Sequence, residues 1–165
     1  MQITLDVATA AAVTGAFTRG PQILLEELET GMDNAAAYLR RETADGAPTS
    51  GAGTLRASFI DKVTVLGEVV LGDVTSSLPY AVPVEMGTKP HFPPLEPLIT
   101  WVEVKLGLAG EEAETAARGI QRKIGYHGTK PVHMARRALD DGRDTIRAEI
   151  GEAAERALRR IEALA

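Results

Sequence analysis

The fold is predicted outward from residues 77–94, which read Ser-Leu-Pro-Tyr-Ala-Val-Pro-Val-Glu-Met-Gly-Thr-Lys-Pro-His-Phe-Pro-Pro. Apolar side chains occupy every second position from Tyr80 to Met86, and this alternation predicts a β-strand with one buried face. Pro83 cannot donate a ladder hydrogen bond, so the strand over 80–85 is predicted at a sheet edge. Four prolines between residues 90 and 97 disfavour regular structure and predict a stiff, extended arm over residues 89–97.

Three further strands are predicted from alternating apolar residues on the N-terminal side of this stretch. Residues 2–7 form one of them, and residues 54–74 form a hairpin that turns at Gly67. Together with the strand over 80–85 they predict a small, mostly antiparallel sheet of about four strands.

A long amphipathic helix is predicted over residues 21–43, where apolar residues recur at spacings of three and four. Gly31 inside it predicts a close crossing or a bend, because glycine costs about 1 kcal/mol relative to alanine in a helix. Residues 8–20 are small and predict a loose connection, and residues 48–54 predict a flexible linker or turn.

The C-terminal half is predicted to be helical. Pro97 begins a short helix that Gly107 stops, and a second helix covers residues 111–124. A long helical tract runs from Pro131 to Leu164 with an expected interruption near Gly142, and its apolar seam is so narrow that it requires a partner in its own chain or a neighbour's.

The fold class is therefore α+β, with the small sheet packed against the long N-terminal helix and a helical C-terminal half. A chain of 165 residues is the size of a single domain. We expect an α+β core over residues 1–130, which includes the arm, and a C-terminal helix over residues 131–165 that belongs to the same domain or forms an interface.

Composition and charge argue against several classes of function. The chain has no cysteine, which excludes disulfides, thiolate metal sites and a cysteine nucleophile. The net charge is −5, and residues 1–110 hold 7 Lys or Arg against 13 Asp or Glu, so tight nucleic-acid binding is disfavoured. No apolar run approaches the roughly 20 residues that span a membrane, and the N-terminus lacks signal-peptide features. These features predict a soluble protein made in the cytosol.

The candidate chemical constellations are weak. His91, His127 and His133 could be combined with Glu85 as a metal site, but no two histidines have helical ligand spacing on one face. Ser76 or Ser77 lacks the nucleophile elbow of a hydrolase. Residues 48–53 lack the lysine of a phosphate-binding loop. We therefore predict no catalytic, cofactor-binding or metal-binding residue.

Two features point to contacts with other proteins. Tyr80 and Trp101 are predicted as core or interface anchors, and Glu85 either pairs with Lys89 or a neighbour's arginine or is an exposed charge that discourages aggregation. The tetrapeptide Gly-Thr-Lys-Pro occurs at residues 87–90 and again at 128–131. Without longer self-similarity around the copies, they are interpreted as similar exits into different elements.

Several segments between residues 48 and 140 are similar to one known family. They are Leu55-Arg56-Ala57-Ser58 after a glycine-rich turn, Tyr80 to Thr88, Lys89 to Pro94, Trp101-Val102 with Lys105-Leu106-Gly107, and Arg122-Lys123-Ile124 before His127-Gly128-Thr129. In these segments the chain resembles the minor tail component, or virion morphogenesis, family of long-tailed bacteriophages and prophages. It departs from the family in a longer turn before Leu55 and in His133-Met134, where members often carry an aromatic pair.

The resemblance implies a structural protein of the phage neck that completes the tail or joins it to the head. It implies a virion protein made in the host cytoplasm and assembled as a ring, expected to be a hexamer, around a channel through which DNA passes without specific binding. Its partners would be its own copies and other neck and tail proteins, with no membrane. A tail terminator that caps the tail tube is the alternative within this class, and a small hydrolase or a DNA-binding regulator represents the other classes. The interface candidates are Tyr80, Pro83, Glu85, Gly87, Thr88, Lys89, His91, Phe92 and Trp101.

Overall fold

The computed structural model describes residues 7–49 and 53–164, which form six helices and one two-stranded antiparallel sheet. The mixed helical and sheet character, the long N-terminal helix and the helical C-terminal half are confirmed. The elements are α1 (Val7–Gly46), α2 (Thr54–Ala57), β1 (Phe59–Leu66), β2 (Val69–Ser76), α3 (Ala81–Met86), α4 (Leu95–Leu106), α5 (Gly110–His127) and α6 (Met134–Glu162).

The predicted edge strand over residues 80–85 is wrong, because this segment is the short helix α3. Pro83 occupies its third position, where a backbone N–H has no acceptor inside the helix, so the proline removes no helical hydrogen bond. Val82 and Met86, expected on the buried face, are 69% and 66% exposed, whereas Ala81 is buried. The alternation of apolar residues therefore did not mark a common buried face.

The predicted hairpin is confirmed as β1 and β2, joined by a turn in which Gly67 has a φ of 63°. Leu55 and Ala57 were expected on its first strand but belong to α2. The sheet of about four strands is not confirmed. Residues 2–6 of the predicted first strand lie outside the described residues, and Val7 begins α1.

The N-terminal helix is longer than the sequence predicted. Residues 8–20 were expected as a loose connection, yet α1 begins at Val7 and continues through Pro21 to Gly46. Four of residues 8–12 are alanine, which has the highest helix propensity, and the helix continues through Pro21 without ending there. The small residues of this segment were therefore a helical signal.

The helices of the C-terminal half are confirmed, with small differences at their ends. Gly107 ends α4 with a φ of 67°, as predicted, while α5 extends past Gly125 to His127. The expected interruption near Gly142 is wrong, because α6 is continuous there. Among the described residues, none of these helices combines the length and apolarity that a membrane span requires.

The chain divides into two compact units. The first comprises the described residues up to Arg40, residues 61–74 and the described residues from Asp141 onward, and the second comprises residues 75–140 and the described residues of 41–60. The predicted division at residue 130 differs from this one and stays a prediction.

In the first unit, α1 and α6 pack antiparallel through small residues. A Cβ added to Gly31 would lie 2.6 Å from the Cβ of Ala153, so the glycine permits the close crossing that the sequence predicted. Ala35, Ala153 and Ala157 are buried along the same seam. The narrow apolar stripe of α6 thus has its partner within the chain. Matching contacts along the pair join Gly20 to Ile161, Asn34 to Glu149 and Tyr38 to Gly142.

Charged side chains reinforce this helix pair. The Glu27 carboxylate accepts hydrogen bonds from Arg156 at 3.0 Å and from Arg160 at 2.8 Å, and Glu27 is only 15% exposed. The hydrogen bond from Arg160 lowers the pKa of Glu27 most, and the one from Arg156 lowers it further. The carboxylate of Glu27 in turn raises the pKa of Arg160. Within the same unit, β2 packs on α1, because a Cβ on Gly72 would meet the sulfur of Met32 at 2.8 Å.

The second unit has its core between α4 and α5. Val102, Ala113 and Ala117 are fully buried there, and the partly buried residues Leu98 and Ile120 pack around them. The small alanines of α5 allow the two helices to lie close together, which fixes the loops at both ends of the pair.

Candidate functional site

The two Gly-Thr-Lys-Pro segments meet in the second unit as an antiparallel bridge. Thr88 N–H donates to the Thr129 carbonyl at 3.1 Å, and Thr129 N–H donates to the Thr88 carbonyl at 3.1 Å. The two threonine hydroxyls are also 3.1 Å apart. We name residues 87–90 and 128–131 the paired loops. The sequence predicted two similar exits into different elements, and the structure adds that these exits bind each other.

Only glycine fits the first position of each loop. Gly87 has φ 72° and ψ 175°, and Gly128 has φ 68° and ψ −160°, a region of backbone conformation that side chains with a Cβ rarely enter. A Cβ on Gly87 would lie 2.5 Å from the Thr129 carbonyl oxygen, and one on Gly128 would overlap the Thr88 carbonyl oxygen. Each glycine ends a helix and lets the opposite backbone approach closely.

Glu85 connects α3 to the beginning of α6. Its two carboxylate oxygens accept the backbone N–H groups of Ala135 at 3.0 Å and Arg136 at 3.1 Å. These amides are among the first N–H groups of α6, which have no acceptor inside the helix, so Glu85 caps the helix from a different element. The sequence analysis proposed an ion pair or an exposed charge and did not anticipate this capping role.

The proline-rich arm packs on α5 along one side. His91 N–H donates to the Ile124 carbonyl at 3.4 Å, and the Gln121 amide donates to the Pro93 carbonyl at 2.8 Å. The Phe92 ring packs where a side chain on Gly125 would stand, although Phe92 remains 64% exposed. The arm is shorter than predicted, because α4 begins at Leu95. Its inner side contacts its own unit, and its outer side faces solvent.

A surface cavity of about 370 Å³ lies beside the paired loops. Its walls are mostly apolar, and Lys130, His91 and the two bridged threonines stand among the lining residues. The other lining residues are Pro48, Pro83, Val84, Pro93, Leu98, Ile124 and Val132. An apolar cavity with a few polar groups suits an apolar side chain flanked by groups that bind Lys130 or the threonines.

Charge is segregated along the second unit. Residues 115–139 carry six Lys or Arg and no Asp or Glu, whereas residues 103–114 carry four Glu and one Lys. The charge count over residues 1–110 ends before the basic run, so the sequence-based prediction missed it. A sliding count of 25 residues would have found it.

The predicted interface residues fall into two groups. Gly87, Thr88 and Glu85 make contacts within the chain that hold the paired loops and α6. Tyr80, Lys89, His91, Phe92 and Trp101 are exposed, and Pro83 lines the cavity. Whether these residues contact a neighbour stays a prediction.

The weak chemical constellations are not assembled into a site by the described residues. The Ser76 hydroxyl lies 2.7 Å from that of Ser58 and accepts the N–H of Leu78, so neither partner is a histidine or an acid. His91 Nδ1 lies 3.0 Å from the backbone carbonyl oxygen of Lys89, two residues earlier in the chain. No group of three or more histidines and acids able to hold a metal ion occurs within residues 7–49 and 53–164.

Comparison with models of known families, with curated proteins and with solved structures gives no match for this chain.

Proposed function

We propose that this chain is a structural subunit of the neck of a long-tailed phage, which completes the tail or joins it to the head as a ring around the DNA channel. The resemblance over residues 48–140 motivates the proposal. Such a subunit acts by binding copies of itself and adjoining neck and tail proteins, without catalysis. It would be found in the virion after synthesis in the host cytoplasm.

The observation that carries the proposal is the exposed hairpin of the first unit. Val65, Leu66, Val69 and Leu71 are all exposed at or near its turn. A two-stranded sheet with open edges is marginally stable in water and readily pairs with strands of another chain. A ring places a further copy beside each subunit, which provides a partner for such an edge.

The net charge of the chain is compatible with a channel that does not bind DNA tightly. A net charge of −5 leaves little overall attraction for a polyanion, whose binding depends on the release of counterions by basic groups. DNA would therefore pass through the ring without specific binding.

The function is tested by deleting the gene in the phage or prophage that encodes it and examining the particles by electron microscopy. A completion or joining protein leaves filled heads and separate tails of normal length, and the wild-type gene supplied in trans restores joined particles. Joined particles at normal yield without the gene would refute the proposal.

The same experiment separates the alternatives. A tail terminator would give overlong tails when absent. A hydrolase that uses His91 or Glu85 would lose a measurable activity when either residue is changed while assembly is retained, whereas a structural protein has no such activity to lose. Mass spectrometry of purified wild-type particles should find the protein, and its absence would contradict a virion role.

A further inference from the structure

We infer that the second unit carries two complementary surfaces at opposite ends of the α4–α5 pair, by which one copy binds a second copy head to tail. The inference rests on the proposed function, because it names the contact that would join neighbouring subunits. It uses residues that the sequence analysis did not select, together with the cavity beside the paired loops.

One surface is an acidic, apolar projection at the connection from α4 to α5. Leu106 and Val104 are 54% and 57% exposed there. Glu103 is three positions before Leu106 on α4 and therefore shares its face, and the exposed Glu111 and Glu112 follow at the beginning of α5. We name Glu103, Val104, Leu106, Glu111 and Glu112 the acidic projection.

The other surface is the cavity beside the paired loops with its surrounding cations. Ile124 of α5 and Leu98 of α4 line the cavity together with Lys130. Lys89 belongs to the loop that is bridged to the one carrying Lys130, and it follows the lining residue Thr88. We name the cavity with Lys89 and Lys130 the basic socket.

The two surfaces are complementary in charge and in apolar character. The projection offers exposed leucine and valine side chains with three glutamates and a single cation, Lys105, and the socket offers an apolar cavity of about 370 Å³ with Lys130 in its lining. Burying apolar side chains in the cavity supplies association energy, and the charge pattern fixes the orientation of the two copies and speeds their encounter.

The placement of the surfaces makes the contact intermolecular. α4 and α5 share a buried core, and Glu112 and Ile124 are 12 residues apart on α5, which is about 18 Å along the helix axis. A projection and a socket this far apart on one rigid helix pair cannot bind each other within a copy. Surfaces that differ on the two partners produce head-to-tail contacts, which form a ring when the rotation closes.

Charge reversal tests the contact directly. The native mass of the purified full-length protein is measured by mass photometry and light scattering across concentration and salt. Reversing the projection (Glu111→Lys with Glu112→Lys) or the socket (Lys89→Glu with Lys130→Glu) should raise the concentration needed for assembly about tenfold or more. Combining all four substitutions in one chain restores complementarity and should recover assembly.

Two controls make the result specific. Glu155→Arg with Arg159→Glu exchanges the two members of an exposed ion pair on α6, outside both surfaces, and should leave assembly near that of the wild type. Leu106→Ala should weaken assembly without changing charge, because it removes the side chain proposed to enter the cavity. Thermal unfolding of every variant verifies that the chain is folded.

The possible outcomes separate this inference from the proposed function. If the wild type assembles and both reversal variants assemble equally well, the contact is refuted while the ring proposal stands. If the reversals weaken assembly but the combined variant does not recover it, direct pairing of the two surfaces is also refuted. A wild type that is monomeric at every concentration and absent from particles would overturn both.

Discussion

The two units of this protein differ in the contacts that hold them together, although each leaves apolar surface exposed, on the hairpin in the first and beside the paired loops in the second. In the first unit, the narrow apolar seam of α6 is covered by α1, with Gly31 and Ala153 in close contact and Glu27 bound by two arginines. In the second unit, the paired loops are held by backbone hydrogen bonds, yet a cavity and several large apolar side chains stay at the surface. The narrow apolar seam of a helix can be covered by another helix of the same chain. Loops that are held by many hydrogen bonds can still leave an apolar cavity open to a partner protein.

The stabilising contacts are distributed differently in the two units. The helix pair depends on small side chains spread over several turns, so one substitution affects one layer of packing. The paired loops depend on two glycines whose conformation no other residue adopts easily. Substitutions should therefore have their largest effects in the loops and smaller effects along the helix pair.

The largest effect is expected from Gly128→Ala. The added Cβ would overlap the Thr88 carbonyl oxygen in a backbone region that favours glycine. Strain and lost bridging together should cost about 3–5 kcal/mol of unfolding free energy, measured by chemical denaturation. Gly119→Ala is the matched control, because its Cβ meets nothing within 4 Å, and in a helix interior it should stabilise the protein by about 1 kcal/mol. Equal stability of the two variants would mean that the loops do not pair.

A smaller effect is expected in the helix pair from Gly31→Leu. The larger side chain must displace Ala153 and the backbone of Glu149, which lies 3.1 Å from an added Cβ, so we expect a loss of about 1–3 kcal/mol. Gly151→Leu, on α6 with open space around it, should be neutral or stabilising. If Gly31→Leu were as stable as this control, the close crossing would be contradicted.

Removing the cap on α6 should have a smaller effect than the substitution at Gly31. Glu85→Ala removes the acceptors of two backbone N–H groups and should lower the unfolding free energy by about 1–2 kcal/mol. Glu85→Gln keeps one carbonyl acceptor and should retain part of that stability, as measured by thermal unfolding at neutral pH. Identical melting of the wild type and Glu85→Ala would exclude the capping role.

The smallest effect is expected from the pH dependence of the helix pair. Arg160 and Arg156 lower the pKa of Glu27 in the folded protein, so the unfolded state binds a proton at a higher pH than the folded state does. This contribution to stability is complete above the unfolded pKa of about 4.5 and is lost as the pH falls through the folded value. Glu27→Gln should therefore lose stability at neutral pH and show a flatter acid dependence than the wild type. The control is Glu29→Gln, at an exposed position on the same helix, and its stability should fall with pH as that of the wild type does. If both variants flattened the pH dependence equally, the bonds between Glu27 and the two arginines would not be its cause.

The sequence predicted an element correctly where its apolar pattern and the residues at its ends both indicated the same structure. The hairpin at Gly67, the end of α4 at Gly107 and the close crossing at Gly31 all follow from glycine at positions where geometry requires it. The segment over 80–86 was predicted wrongly because a short, seven-residue apolar pattern is compatible with a strand or a short helix, and Pro83 is acceptable near the beginning of a helix.

The candidate site was less predictable because it depends on contacts far apart in sequence. Thr88 and Thr129 are 41 residues apart, and local periodicity cannot predict that two similar tetrapeptides will pair. The role of Glu85 similarly requires α6 to begin next to α3. The basic run over residues 115–139 was present in the sequence and was missed only through the choice of counting windows.

The most direct measurement is a density map of the neck of intact particles at a resolution that traces helices. The account predicts a ring of copies at the junction of head and tail, with the acidic projection of each copy seated in the basic socket of the next. Absence of the protein from the particle, or copies whose α4–α5 ends both face solvent, would contradict it.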